Sequence, residues 1–188
     1  MAEAVVVLDM TRDSIAPEAR AVEMRKSILG KTKAYLAWAR GQGMPVVFVC
    51  SARRRTDKWF LKHWELANEI WKSGQEPIPE LFESTDTIVH KRRYSGFFGS
   101  DLEITLRELD VDSLQLIGWS TSLAVATTAI DAWQLGFPTT VVSDLCIAHA
   151  WGGHTVDENQ KWSLDYIAAM AKSKIVESEM LMRESPVQ

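Results

Sequence analysis

The segment LQLIGWSTSLAVATT, residues 114–128, indicates the fold of the chain. Its beginning, residues 114–117, is an apolar run interrupted only by Gln115, which is typical of a strand that is buried on both faces. The run ends at Gly118-Trp119, and Ser120-Thr121 then lead into a helical pattern over residues 123–135. A buried strand that passes directly into a helix is the repeating unit of α/β proteins.

The same alternation extends over the whole chain, with short β-branched runs between longer segments of helical periodicity. The predicted strands are residues 4–8, 46–50, 87–89, 114–117, 139–142 and 175–176. The predicted helices are residues 19–40, 59–71, 101–109, 123–135 and 157–170. We therefore predict an α/β fold with a doubly wound, six-stranded, mainly parallel sheet and helices on both of its faces.

Composition limits the classes of function. The 188 residues, 46% of them hydrophobic, are predicted to form a single domain over residues 1–188. A formal net charge of −4 and a pI near 5.6 argue against a nucleic-acid partner, because binding phosphates requires clustered cations. No apolar run approaches the roughly 20 residues of a membrane span, so we expect a cytoplasmic protein with no membrane partner. Cys50 and Cys146 form no CxxC pair and are expected to be free thiols.

Residues at the carboxyl ends of the predicted strands are the candidates for function, because ligands of open α/β sheets bind there. Asp9 closes the first strand, where a buried carboxylate is costly unless it is paired or used. Lys91 follows the third strand, and an amine beside Asp9 would keep that carboxylate ionised and stabilise a developing negative charge. The helix after the fourth strand starts near Ser120 and holds Ala124 in its first turn, so its unpaired amides are predicted to bind an anion. The full set at this edge comprises Asp9 and residues 50–55, 90–99, 118–124 and 144–149.

These residues resemble a known family, the isochorismatase-like hydrolases, which have a Rossmann-like fold. The resemblance covers almost the whole chain and is carried by Asp9, by HKRRYSGFFGSDLE (residues 90–103) and by LIGWSTSLAVATTAIDAWQLGFPTTVVSDLC (residues 116–146). In the cysteine hydrolases of this superfamily an aspartate, a lysine and a cysteine form the catalytic triad. The resemblance places these three at Asp9, Lys91 and Ala124.

The resemblance also implies a cis peptide bond between Trp119 and Ser120, which directs the amides of Ser120 and Ala124 into an oxyanion hole. It implies no organic cofactor. Nicotinamidases of the family hold a metal through an Asp-x-His arrangement after the second strand. Residues 50–55 here contain no histidine, and the four histidines of the chain show no ligand spacing, so no metal site is predicted.

Ala124 stands where a nucleophilic cysteine is expected, and three explanations remain open. In the isochorismatase branch of the family a small residue occupies this position, and an enol ether is hydrolysed without a covalent intermediate. There Asp9 would protonate the vinyl carbon and water would complete the reaction. The chain is alternatively a cysteine amidohydrolase that cleaves a C–N bond of an amide or ureido group, with its nucleophile replaced by alanine. The third reading is a non-catalytic relative that binds a small ligand.

Four residues are predicted to contact a small-molecule substrate: Arg53, Tyr94, Phe97 and Trp119. Arg53 is the first of three arginines after the second strand, where a guanidinium can pair with a carboxylate. The aromatic side chains are predicted to form apolar walls. Cys50 is not expected to be a nucleophile, because it lacks the helix-start amides that activate a thiol. Eight tryptophans are many for this length and are consistent with subunit contacts, so a homo-oligomer is expected.

Overall fold

The computed structural model describes residues 2–12, 19–63 and 75–184, and it contains a six-stranded sheet. The strands are β1 (Ala2–Leu8), β2 (Val46–Ser51), β3 (Thr87–Lys91), β4 (Val111–Trp119), β5 (Thr139–Ile147) and β6 (Lys174–Val176). Their order is β3-β2-β1-β4-β5-β6, and every neighbouring pair is parallel. The six predicted strands and the doubly wound α/β architecture are therefore confirmed.

Helices connect the strands. They are α1 (Ala19–Gly41), α2 (Lys58–His63), α3 (Leu102–Glu108), α4 (Ala126–Gln134), α5 (Val156–Met170) and α6 (Ser178–Glu184). A π-helical turn, Thr121–Val125, precedes α4 and replaces the start of the predicted fourth helix. Helix α6 was not predicted, and residues 64–71 of the predicted second helix lie outside the described residues. Within the described ranges, none of the helices combines the length and apolarity needed to cross a bilayer.

Two apolar cores lie on the two faces of the sheet. Alternate residues of a strand point to opposite faces, so Val6 and Leu8 of β1 join one core while Val5 and Val7 join the other. Helices α3, α4 and α5 cover the first core, and helices α1 and α6 cover the second. With both faces covered, the central strands are buried along most of their length, which explains their continuous apolar sequences.

Strand β5 is longer than predicted and carries an irregularity. Its register with β4 changes from Leu116↔Val141 to Gly118↔Cys146, so several residues of β5 bulge away from the ladder. The prediction that residues 144–147 follow the strand is therefore wrong. Asp144 lies within β5 and accepts hydrogen bonds at 2.8 Å from both the amide and the hydroxyl of Ser178, at the start of α6.

The segment before β3 returns to the carboxyl edge of the sheet. The amide of Arg12 donates to the Glu76 carbonyl at 3.1 Å, and the amide of Ile78 donates to the Met10 carbonyl at 3.0 Å. Residues 75–78 therefore run beside the segment that follows Asp9.

Candidate active site

Asp9 lies at the carboxyl end of β1 in a left-handed backbone conformation, with a φ of 52°. Its amide still donates to the Val49 carbonyl of β2 at 3.0 Å, so the residue is held at the sheet edge while the chain turns away. The carboxylate has two partners. Lys91 Nζ lies 2.7 Å from Oδ2, and the hydroxyl of Ser51 donates to Oδ1 at 2.9 Å. The structure therefore brings the predicted Asp9 and Lys91 side chains together.

Lys91 uses all three of its ammonium protons within the protein. Besides the Asp9 carboxylate, the carbonyls of Arg93 and Tyr94 each accept a hydrogen bond from Nζ at 2.9 Å. The residue is only 1% exposed, and a buried ammonium is tolerated only when it is paired and hydrogen-bonded. Lys91 therefore fixes both the Asp9 carboxylate and the loop that follows β3.

Ser51 was missed as an individual residue by the sequence analysis, although it lies within the examined residues 50–55. It is the last residue of β2 and is buried. Residues Val47 and Val49 of this strand point into the same core as Leu8. The two-residue period of a strand places Ser51 on that face as well, and this periodicity is the signal that identifies it.

The turn after β4 begins with a cis peptide bond between Trp119 and Ser120, as the resemblance implies. The carbonyl of Ser120 accepts hydrogen bonds from the amides of Leu123 and Val125, both at 3.1 Å. Ala124, in the middle of this turn, is 2% exposed and packs in the core covered by α4. A methyl group thus occupies the position that a thiol has in the cysteine hydrolases.

Gly118 allows β1 and β4 to approach closely just before this turn. A Cβ atom built on Gly118 would lie 2.0 Å from the carbonyl oxygen of Leu8, and the φ of Gly118 is +127°. Side chains are excluded by both the contact and the backbone conformation. Since Leu8 immediately precedes Asp9, this approach sets the distance between Asp9 and the turn.

Gln160 of α5 ties the turn to β5. Its side-chain oxygen accepts hydrogen bonds at 2.8 Å from the Thr121 hydroxyl and from the Ala148 amide. Its side-chain nitrogen donates to the carbonyls of Cys146 at 3.0 Å and Ser143 at 3.4 Å. The sequence carries no signal for this role, because the bonds depend on the bulge in β5.

Arg53 lies within electrostatic range of both Asp9 and Tyr94, and the roles of Arg53 and Tyr94 in substrate binding stay predictions. Both side chains are half-buried. Burial lowers the pKa of the Arg53 guanidinium, whereas the nearby Asp9 and Tyr94 raise that pKa. The guanidinium is therefore electrostatically coupled to the Asp9 carboxylate.

The arginine-rich loops are organised by the buried carboxylate of Asp57. It pairs with the Arg92 guanidinium and lies 3.5 Å from Arg93 Nη1, and it accepts a hydrogen bond from the Arg54 amide at 2.9 Å. Burial raises the pKa of Asp57, but the hydrogen bonds from Arg54 and Arg92 and the two guanidinium charges outweigh it, so the pKa is lowered. Asp57 thereby joins the segment after β2 to the loop after β3.

The other two predicted pocket residues lie elsewhere. The Trp119 ring is buried in the core on the α1 side of the sheet, opposite the face of Ala124, with the Arg25 guanidinium 4.8 Å from its centroid. Phe97 stacks on Phe137 with centroids 6.2 Å apart, and Phe137 precedes the amino end of β5. These positions do not test whether the two rings contact a substrate, so their role in binding stays a prediction.

The two cysteines are free and buried. Burial raises the pKa of the Cys146 thiol to about 12, so this residue is a poor nucleophile near neutral pH. Among the described residues, no group of three or more histidine, cysteine, aspartate or glutamate side chains is placed to hold a metal ion.

Comparison with known proteins identifies the family. The model of the isochorismatase domain matches residues 3–176. The chain belongs to the isochorismatase family. The isochorismatase family protein YecD of Escherichia coli O157:H7 is 30% identical over 152 residues, which cover 77% of this chain and 79% of the relative.

Two further members of the isochorismatase family carry the name of an activity. Ureidoacrylate amidohydrolase RutB of Variovorax paradoxus is 32% identical over 105 residues, which cover 54% of this chain and 41% of that protein. The crystal structure of N-carbamoylsarcosine amidase from Thermoplasma acidophilum superposes with a TM-score of 0.77 and 28% identity, covering 95% of this chain and 98% of the amidase. This chain is thus a member of a hydrolase family.

Proposed function

We propose that this isochorismatase-family chain hydrolyses a small metabolite with water as the nucleophile and Asp9 as the group that moves the proton. The observation that carries the proposal is the pairing of Asp9 with Lys91 and Ser51. Ala124, which is buried in the turn after β4, offers no thiol that could replace water as the nucleophile. A proton-transfer group needs a fixed orientation, and two charged or polar partners supply it.

The proposed reaction has two proton transfers at the same carboxylate. Asp9 accepts a proton from water as the oxygen attacks the substrate, and it returns that proton to the leaving group when the bond breaks. The elements of one water molecule are divided between the two products. For an enol ether the order is reversed, because Asp9 must first be protonated and then deliver its proton to the vinyl carbon.

Lys91 acts through Asp9 in this scheme. Its three protons are already donated to Asp9 and to two carbonyls, so contact with a substrate would break one of these hydrogen bonds. Its ammonium group holds Oδ2 of Asp9 in one orientation, so the carboxylate is positioned to accept a proton from water. The amides of Ser120 and Ala124 are proposed to stabilise the negative charge that develops on the substrate.

Arg53 is proposed to bind an anionic group of the substrate. It lies at the same edge as Asp9 and carries the positive charge that a carboxylate would pair with. Tyr94 is proposed as its neighbour in the binding site. A small metabolite with a carboxylate group next to the hydrolysed bond fits this arrangement.

A second candidate is hydrolysis of an amide or ureido bond by a thiol at position 124. The similarity to an amidase and an amidohydrolase favours this chemistry. As the chain stands, Ala124 provides no nucleophile for it. The variant Ala124→Cys would place a thiol in the turn beside Asp9 and restore the triad of the cysteine hydrolases.

One panel of variants distinguishes the candidates. The unsubstituted chain, Asp9→Asn and Ala124→Cys are assayed on small carboxylated enol ethers, amides and ureas. We expect hydrolysis by the unsubstituted chain, and a loss of about 100-fold or more in kcat for Asp9→Asn. Asp144→Asn is the matched control, because Asp144 is another hydrogen-bonded carboxylate that caps α6.

Each candidate function predicts a different result for this panel. Full activity of Asp9→Asn would contradict the proposal. Turnover of amides or ureas only by Ala124→Cys would favour the thiol reaction. Ligand binding without turnover by any of the variants would favour the non-catalytic reading.

A further inference from the structure

Helix α5 presents a row of large apolar side chains to solvent. Trp162, Tyr166 and Met170 are spaced four residues apart, which places them on one face of the helix. Trp162 stacks on Tyr166 with centroids 5.1 Å apart, and Trp151 meets Trp162 edge-on at 6.2 Å. We call these four residues, Trp151, Trp162, Tyr166 and Met170, the α5 aromatic row.

The α5 aromatic row is not part of the core. Helix α5 packs into the core through a different face, which includes Val156, Ser163 and Ile167. In the row, Trp151 and Trp162 are each 52% exposed, Met170 is 53% exposed and Tyr166 is 36% exposed. Helix α5 is therefore apolar on an outward face as well as on its inward face.

The size of the row indicates an interface. The four side chains together expose on the order of 400 Å² of mainly apolar surface, which is the size of the largest patch on a typical protein surface, and such patches often mark interaction sites. A standard interface buries about 800 Å² on each partner. The α5 aromatic row is thus large enough to form the apolar centre of such an interface, and the polar residues beside it would form the rim.

The charged residues beside the α5 aromatic row are complementary to the same residues in a second copy of the chain. Lys161 and Asp165 are exposed, and Lys161 Nζ lies 2.8 Å from Asp165 Oδ2 in the same helix. When two copies of α5 pack antiparallel about a twofold axis, a residue that precedes the axis on one helix faces a residue that follows the axis on the other helix. Lys161 of each chain then faces Asp165 of the other, and Trp162 of each chain faces the Tyr166 ring.

We propose that the α5 aromatic row is the surface through which two copies of this chain form a twofold dimer, with α5 packed antiparallel against its symmetry mate. The charge pattern selects this partner, because one helix face that carries both a cation and an anion is complementary to itself. The proposal specifies the surface of the expected homo-oligomer and is independent of the hydrolytic reaction.

The mass in solution tests the dimer. Sedimentation velocity over a range of concentrations is expected to give twice the chain mass of 21.2 kDa. Trp162→Glu is expected to give the monomer. Ile104→Glu is the matched control, because Ile104 is a 63% exposed apolar residue on α3, and it is expected to leave the dimer unchanged.

A charge exchange tests the orientation. In Lys161→Asp, positions 161 and 165 are both acidic, so acidic residues face acidic residues across the dimer. In Asp165→Lys both positions are basic, so basic residues face basic residues. Each variant alone is expected to weaken the dimer about tenfold or more. An equimolar mixture of the two variants restores both opposite-charge contacts and is expected to restore dimerisation. Urea unfolding confirms that each variant is folded.

Three results would overturn the proposal. The first is a monomer at every concentration, and the second is a dimer that survives Trp162→Glu. The third is a mixture of the two charge variants that associates no better than either alone, since this would exclude the antiparallel arrangement.

Discussion

Replacing Gly118 with alanine tests the close approach of β1 and β4 at the candidate site. The new Cβ would lie 2.0 Å from the Leu8 carbonyl oxygen and 2.8 Å from the Leu8 carbonyl carbon and amide nitrogen. Relief requires a displacement of the backbone by about 1 Å, because carbon and oxygen atoms in contact are rarely closer than about 3 Å. The φ of +127° adds backbone strain.

The steric contact and the backbone strain together determine the expected loss of stability. Steric overpacking costs about 1–3 kcal/mol, and an unfavourable backbone conformation costs about 1–3 kcal/mol more. We therefore expect Gly118→Ala to lower the free energy of unfolding by about 2–6 kcal/mol, a large part of the about 5–15 kcal/mol typical of a domain. The strands would also separate between Leu8 and the turn, so hydrolysis is expected to fall as well.

Gly136→Ala is the matched control. Gly136 has a φ of +83°, but nothing lies within 4 Å of a Cβ at this position, so only the backbone term of about 1 kcal/mol is expected. Both variants are compared with the unsubstituted chain by urea unfolding at a common slope m. Equal destabilisation by the two substitutions would show that the contact with Leu8 is not the cause, and it would refute the argument.

Four further predictions concern other parts of the fold. Lys91→Met is expected to destabilise the chain by about 2–4 kcal/mol in urea, because it leaves a carboxylate and two carbonyls without their donor; a smaller change than about 1 kcal/mol would contradict this. Gln160→Leu is expected to cost about 2–4 kcal/mol, since four hydrogen bonds are lost, and an unchanged unfolding midpoint would argue against them. Gly30→Ala is expected to stabilise α1 by about 0.5–1 kcal/mol, because Gly30 has no atom within 4 Å of a Cβ; a lower melting temperature would be the wrong sign. Asp57 has a lowered pKa in the folded chain, so its contribution to stability is present above about pH 4 and is lost as pH falls through the folded value. The stability difference between the unsubstituted chain and Asp57→Asn is therefore expected to shrink below about pH 4, and a difference independent of pH would exclude this linkage.

The fold was largely predictable because its signals are local. A strand buried on both faces favours apolar residues, and short apolar runs mark the central strands β1, β2, β4 and β5 most clearly. Helices α3 and α6 both have seven residues, but only α3 carries buried leucines four residues apart, Leu102 and Leu106, so α6 was missed. The bulge in β5 was missed for a different reason. It depends on the partners of β5 in β4 and α5, which are distant in sequence.

The candidate site was predictable in part. Topology places Asp9 and Lys91 at one edge, because parallel strands end together, and the resemblance identifies the turn around Ala124. The direction of an aromatic ring is not fixed by its position at that edge. Trp119 follows the alternation of β4 onto the opposite face, and Phe97 follows its loop to Phe137. Their sequence positions favoured contact with a substrate, but the packing of each ring depends on residues distant in sequence.

The hydrogen bonds of Gln160 have a consequence for shortened versions of this protein. A fragment that stops after β5 would retain Asp9, Lys91 and Ala124, yet it would lack the single amide that clamps the turn to the neighbouring strand. The candidate site is thus completed by a residue to which the proposed reaction assigns no chemical step. Grafting Asp9, Lys91 and the turn around Ala124 onto another protein would therefore require α5 to be grafted as well.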